Sequence, residues 1–157
     1  MNHLYYIKNV KYMVWHKFSE QTPVKPECAA ESIDGMVRVE PDGTITLSRF
    51  FPSDGATGVI DSEAFKRSFF IHDGFFKLFR DGVLDIKWLP VVNDFLETIY
   101  REDLAYLKKS SWWRRLIPLC IQNIRPKYCH IGVDLFSEGA TKPSAERKIL
   151  CAPPMQS

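Results

Sequence analysis

The sequence contains little cysteine, and its cysteines do not lie in pairs. Only four occur in 157 residues, at the widely separated positions Cys28, Cys120, Cys129 and Cys151. Structural zinc sites usually take their ligands from closely spaced pairs such as CxxC, which this chain lacks. Disulfide frameworks are typical of short secreted chains, and no other feature of the sequence indicates that setting. We therefore expect four reduced cysteines with mostly structural roles.

Long apolar runs are also missing. No stretch approaches the roughly 20 consecutive apolar residues that a membrane-crossing helix needs. The first 18 residues interleave Lys and His with aromatic side chains, whereas a signal peptide has a continuous apolar segment. We therefore expect no membrane span, no secretion by a signal peptide and a cytoplasmic location.

A strong excess of one charge is absent as well. The chain has 21 Lys and Arg against 19 Asp and Glu, a formal net charge of +2. Nucleic-acid-binding domains are usually more basic than this, so nucleic acid is not the expected partner. The motifs GxxxxGK[ST], GxGxxG and GxSxG do not occur either. The sequence therefore gives no support to nucleotide-binding loops or to the common serine-hydrolase site.

Apolar and aromatic residues, in contrast, are plentiful. Hydrophobic residues make up 45% of the chain and aromatic residues 13%, which is typical of a folded globule. The length suits one domain, which we place at residues 1–136. Residues 137–157 are polar and contain several prolines, so we expect a tail that is mobile or docked on a partner.

The first third of the chain has the composition of an antiparallel β structure. Aromatic and β-branched residues predict one or two strands within 3–18. Prolines and polar residues in 19–35 predict a loop, with a short helical turn around Ala29–Ser32. Alternating apolar residues on both sides of Pro41-Asp42-Gly43 predict a β-hairpin over 36–50.

Helical periodicity follows. Phenylalanines spaced three and four residues apart predict a helix over 63–80, and Gly82 is its expected stop. A second helix is expected to begin near Pro90 and continue to about 109, and a third could occupy 111–123. Together these patterns predict an α+β fold, in which a small antiparallel β part with the 36–50 hairpin packs on two or three helices.

The stretch FFIHDGFFKLFRDG, residues 69–82, places a His-Asp pair among aromatic residues. With Asp54 in the preceding loop and Asp94 on the next helix, His72 and Asp73 allow two interpretations. In the first, all four side chains bind a divalent metal, and His72, Asp73 and Asp94 catalyse hydrolysis of a phosphoester or cell-wall linkage. In the second, they form a buried hydrogen-bond network, with Asp54 capping the first helix and His72 bridging to Asp94.

The segment from 36 to 105 resembles a family of phages and bacteria, the domain of unknown function 1353. The resemblance rests on the loop Ser53-Asp54-Gly55-Ala56, on the pair His72-Asp73 and on the helical Asp94, with Thr57 where Ser is usual. It implies a phage or prophage origin, with the virion or the host cytoplasm as location, and it implies no defined activity.

A basic aromatic stretch, KKSSWWRRL at 108–116, lies outside that resemblance. Trp112, Trp113, Arg114 and Arg115 are residue types that are favoured in protein interfaces, and they can also stack on nucleic-acid bases. A helix junction that buries the indoles explains the pattern equally well. We treat the four residues as a candidate binding surface.

The function expected from these features is protein binding. The leading hypothesis is a phage-derived accessory or virion-associated protein that binds other phage or host proteins and uses no cofactor. The alternatives are a metal-dependent hydrolase, in which the Asp and His cluster holds a divalent metal, and a nucleic-acid-binding module.

Overall fold

The structure is a computed structural model, and it describes residues 4–7, 12–53, 63–110, 139, 141–142 and 149–152. Within these ranges the chain forms antiparallel sheets and two long helices, as an α+β class requires. The strands are Leu4–Ile7 (β1), Tyr12–Met13 (β2), Phe18–Gln21 (β3), Ala30–Glu31 (β4), Val37–Val39 (β5), Thr44–Leu47 (β6), Pro52–Ser53 (β7) and Ile149–Ala152 (β8). The helices are Glu63–Arg80 (α1) and Leu89–Ser110 (α2), with a 3-10 turn at Ile86–Trp88 before α2.

The predicted hairpin is the centre of a four-stranded antiparallel sheet with the strand order β3-β6-β5-β4. Val37 lies opposite Leu47 and Val39 opposite Ile45, and all four side chains are fully buried. The turn closes where the Gly43 amide donates to the Glu40 carbonyl at 2.9 Å. Gly43 has a φ of +96°, a left-handed conformation that favours glycine. The hairpin predicted over 36–50 is therefore confirmed.

The segment 19–35 is more ordered than its composition indicates. β3 extends through Gln21, and β4 replaces the helical turn that was expected around Ala29–Ser32, so that expectation is wrong. Ala30 is buried and pairs with Val39, while Glu31 faces solvent beside Arg38. Ala and Glu favour helices on their own, but pairing with the hairpin decides the conformation of an edge strand this short.

Helix α1 lies between the sheet and α2, and it is buried on two faces. The stripe predicted from phenylalanine spacing is buried at Phe69, Phe76 and Phe79. A second face carries Gly74, where an added Cβ would lie 2.7 Å from Leu47 Cδ2 and 3.4 Å from Ile45 Cδ1. The absence of a side chain at Gly74 thus lets the helix approach the hairpin closely.

Both predicted helix boundaries agree with the structure. α1 spans 63–80 as expected, and Gly82 follows it with a φ of +68°. α2 begins at Leu89, one residue before the proline that predicts its first turn. None of the described helices is both long and apolar enough to cross a bilayer. The third helix expected at 111–123 lies outside the described residues.

Two short strand pairs complete the described part. β2 pairs with β7, so that Tyr12 lies opposite Ser53. β1 pairs with β8, which gives four residues of the polar C-terminal segment a place in an antiparallel ladder with the N-terminal strand. The domain boundary at 136 and the mobility of the tail as a whole stay predictions.

Candidate functional site

The residues named from the sequence fall into two groups. His72 and Asp73 lie in the middle of α1, and Asp94 lies in the first half of α2. Asp54 and the Trp112-Trp113-Arg114-Arg115 stretch lie outside the described residues, so their predicted roles stay predictions. The described candidates nonetheless show how the His-Asp pair is held.

His72 faces α2, and its partner there is an amide. Its Nε2 lies 3.4 Å from Oδ1 of Asn93, and the Asn93 side chain is 3% exposed. The imidazole also packs on Phe76, with ring centroids 4.0 Å apart and planes inclined at 33°. A ring that donates through Nε2 to the amide oxygen satisfies that oxygen and joins the two helices.

Burial lowers the pKa of His72 from 6.5 to about 4. The hydrogen bond with Asn93 raises this pKa, and the positive charge of Arg80 lowers it further, but desolvation is the largest effect. The imidazole is therefore neutral at neutral pH. A neutral ring that is held by one hydrogen bond and one aromatic contact suits a structural role.

Asp73 faces the opposite neighbour, the strand pair β2–β7. The Ser53 hydroxyl donates a hydrogen bond of 2.6 Å to Oδ2 of Asp73, and Ser53 is almost completely buried. Hydrogen bonds from a hydroxyl to a carboxylate are short and stronger than neutral ones. This bond fixes the end of β7, where the segment 54–62 begins, to the middle of α1.

The structure corrects the expected bridge between His72 and Asp94. His72 binds Asn93, the preceding residue, while the Asp94 side chain is exposed. Neighbouring helical residues point about 100° apart, so only one of the two can face α1. A neutral amide also costs less to bury than a carboxylate does.

The described residues do not contain a complete set of metal ligands. No three His, Cys, Asp or Glu side chains in this part of the chain lie close enough to hold one ion. The four-ligand arrangement suggested by the sequence would require Asp54, which lies outside the described ranges. His72 and Asp73 point to different neighbours, namely α2 and β7.

Sequence reasoning missed the two partners, Ser53 and Asn93. Asn93 had a detectable signal, because it shares a helical face with Leu96 and Tyr100, which are both buried. A polar residue on such a face calls for a buried hydrogen-bond partner. Ser53 gave no comparable signal, since a serine in a short strand is usually a surface residue.

Comparison with known proteins does not identify the chain. No protein-family model, curated protein or solved structure matches it. The family suggested by the loop and the His-Asp pair therefore stays a resemblance.

Proposed function

We propose that this chain is a phage-derived accessory or virion-associated protein that works by binding other proteins. In this proposal the His-Asp pair serves the fold and takes no part in chemistry. The observation that carries the structural role of the pair is the engagement of both residues with their neighbours, His72 with Asn93 and Asp73 with Ser53.

The protonation state of His72 supports this proposal. A general base at neutral pH works best when its pKa lies near the working pH. The pKa of His72 is about 4, and burial is the main cause. At neutral pH the ring therefore has little tendency to take a proton, which suits a packing and hydrogen-bonding role between α1 and α2.

The phage or prophage origin rests on the resemblance around Ser53, His72-Asp73 and Asp94. It implies that the partners are other phage proteins or host proteins, in a virion assembly or in the host cytoplasm. Exposed aromatic residues of the described part are compatible with such contacts, since Trp15 and Phe50 are 64% and 44% exposed.

Metal content tests the proposal against the hydrolase alternative. The native full chain and the His72→Ala variant are purified without chelator, and their Zn, Mn, Fe and Mg contents are measured by elemental analysis. We expect no stoichiometric metal in either protein and a less stable but folded variant. A stoichiometric metal in the native protein that is missing from the folded variant would overturn the proposal and favour the hydrolase.

A further inference from the structure

An exposed aromatic surface forms where the segment after β2 meets the segment after β6. Trp15 is 64% exposed and Phe50 44%, and their ring centroids lie 5.9 Å apart at an angle of 76°. The guanidinium carbon of Arg49 lies 5.0 Å from the Trp15 ring centroid and 4.4 Å from that of Phe50. His16 adjoins Trp15 edge to face, with ring centroids 6.4 Å apart. We call these four residues the Trp15–Phe50 patch.

The backbone holds Phe50 outward in a strained conformation. Phe50 has a φ of +69°, and it is the one described residue other than glycine with a positive φ. Its amide donates to the Val14 carbonyl at 2.6 Å, and the Val14 amide donates to the Phe51 carbonyl at 3.0 Å. The next residue, Phe51, is buried. The positive φ of Phe50 thus directs two adjacent phenylalanines apart, Phe51 into the core and Phe50 to the surface. Backbone strain of this kind often marks functional positions.

The positive charge of Arg49 in the patch has no carboxylate partner among the described residues. Neither 12–18 nor 48–53 contains Asp or Glu, and Arg49 and the neighbouring Lys17 have no ion pair within the described part of the chain. Other cationic side chains of that part pair with carboxylates: Arg38, Arg67, Lys77, Lys87 and Arg101. Arg49 is therefore available to a carboxylate of another molecule.

We propose that the Trp15–Phe50 patch docks an acidic segment of a partner protein, an inference that rests on the protein-binding function proposed above. Arg49 is held over the two rings by cation–π contacts, which leaves the edge of its guanidinium for a carboxylate. Exposed Trp and Arg side chains are the residue types that contribute most to protein interfaces. Apolar side chains of the same segment would cover Trp15 and Phe50.

Protein is favoured over single-stranded nucleic acid at this surface. Arg49 already lies over Trp15 and Phe50, which leaves less ring surface for base stacking. The chain as a whole carries a formal charge of only +2, which gives little long-range attraction for a polyanion. A short acidic segment needs only the local charge of Arg49 and the neighbouring Lys17.

Peptide selection on the full chain tests the proposal. Random displayed peptides are selected on the native protein, and the enriched peptides are synthesised and titrated by fluorescence anisotropy. We expect enriched peptides to be acidic and to contain an apolar residue. Trp15→Ala and Arg49→Glu should each weaken their binding by about thirtyfold, the loss that is typical of an interface hot spot. Higher salt should weaken binding as well.

Two matched controls separate the patch from general effects. Lys142→Glu makes the same change in net charge as Arg49→Glu at an exposed lysine elsewhere, and Tyr106→Ala removes another exposed aromatic side chain. Both should bind the peptides as the native protein does. Unchanged unfolding temperatures for Trp15→Ala and Arg49→Glu show that the loss of binding is not a loss of fold.

Three results would overturn the docking proposal. In the first, no acidic peptides are enriched. In the second, acidic peptides bind Trp15→Ala and Arg49→Glu as tightly as they bind the native protein. In the third, the chain binds oligothymidylate in a way that depends on Trp15 and does not bind acidic peptides. If the enriched peptides bind elsewhere on the chain, the Trp15–Phe50 patch is not the docking site, but the proposed protein-binding function still holds. The metal measurement above tests that broader function separately.

Discussion

His72 loses hydration where α1 meets α2, and this loss has a consequence for acid stability. Its pKa is about 4 in the folded chain, whereas an ordinary histidine has a pKa of 6.5. Between pH 4 and pH 6.5, therefore, the ring is protonated in the unfolded chain and neutral in the folded chain. The contribution of His72 to stability is complete above pH 6.5. It is lost progressively as the pH falls toward 4.

We therefore predict that His72→Gln reduces the fall in unfolding free energy between pH 6.5 and 4. The measurement is urea denaturation of both proteins at several pH values. Other groups with shifted pKa values titrate in both proteins, namely Asp34, Asp42 and Asp85. Burial raises the pKa of Asp34, but hydrogen bonds outweigh it, and hydrogen bonds are also the main cause of the lowered pKa values of Asp42 and Asp85. Their effects cancel in the comparison. Identical pH profiles would show that His72 is hydrated in the folded chain.

Phe50 allows stability and binding to be separated at one residue. Glycine tolerates a φ of +69° and so removes strain of about 1–2 kcal/mol, which offsets the roughly 0.5–1 kcal/mol that its greater freedom costs. We predict that Phe50→Gly is as stable as the native protein or slightly more so, yet binds acidic peptides poorly. Thermal unfolding and anisotropy measure the two effects.

Phe51→Ala is the matched control for that prediction. Phe51 is 4% exposed, and truncation of a buried phenylalanine typically costs about 3–5 kcal/mol. This variant should lose stability where Phe50→Gly does not. A large loss of stability in Phe50→Gly would mean that the Phe50 ring supports the fold and is not held outward for a partner.

At the scale of elements, the contact between α1 and the hairpin depends on Gly74. Valine there would press against Leu47, Ile45 and Val37, all fully buried. Overpacking of this kind costs about 1–3 kcal/mol, so Gly74→Val should lower the free energy of unfolding by that amount. Chemical denaturation measures it, with Lys66→Val on the exposed side of α1 as the control.

A double variant makes the Gly74 prediction specific. Leu47→Ala removes the atom that lies nearest to the added side chain, so the Gly74→Val, Leu47→Ala pair should be less destabilised than the sum of the two single variants. If the losses of stability in the two single variants simply add, α1 lies farther from β6 than the structure indicates.

Arg67 joins three elements through charge. Its guanidinium forms ion pairs with Glu20 of β3 at 3.0 Å, and with Glu102 at 2.8 Å and Asp103 at 2.9 Å on α2. Burial raises the pKa of Asp103, and Arg67 opposes that rise. Removal of the cation therefore leaves three carboxylates close together.

We predict that Arg67→Ala lowers the free energy of unfolding by roughly 1 kcal/mol, a value discounted for the partial exposure of the cluster. It should also raise the pKa of Asp103 further, which carboxyl NMR titration would detect. Arg38→Ala, which loses exposed pairs with Glu31 and Glu40, should change stability little. Equal effects of the two variants would mean that the Arg67 cluster is as solvated as the surface pairs.

At the scale of the whole molecule, the sequence predicts the local elements better than the contacts between them. The hairpin and both long helices follow from alternation, the Pro41-Asp42-Gly43 turn and the spacing of apolar residues. β4 does not, because Ala30 becomes extended only through its pairing with Val39. The helix and strand residues that hold the His-Asp pair are also distant in sequence, Asn93 by 21 positions and Ser53 by 20.

The candidate site was therefore predictable in part. His72 and Asp73 stand out as polar residues among phenylalanines, and a structural network was one of the two interpretations that the sequence allowed. The identity of the partners depends on the angle at which α1 meets α2, which no local pattern specifies. The roles of Asp54 and of Trp112 to Arg115 stay predictions.

The central claim is that His72 holds α1 to α2 through Asn93, and a double-mutant cycle tests it most directly. His72→Ala, Asn93→Ala and the double variant are unfolded in urea at pH 7.5, where the ring is neutral. We predict that His72→Ala alone costs about 1–3 kcal/mol, because the buried Asn93 amide oxygen loses its hydrogen bond with the imidazole. The coupling energy between the two residues should be about 0.5–1.5 kcal/mol. A coupling energy of zero, with the two losses strictly additive, would contradict the account.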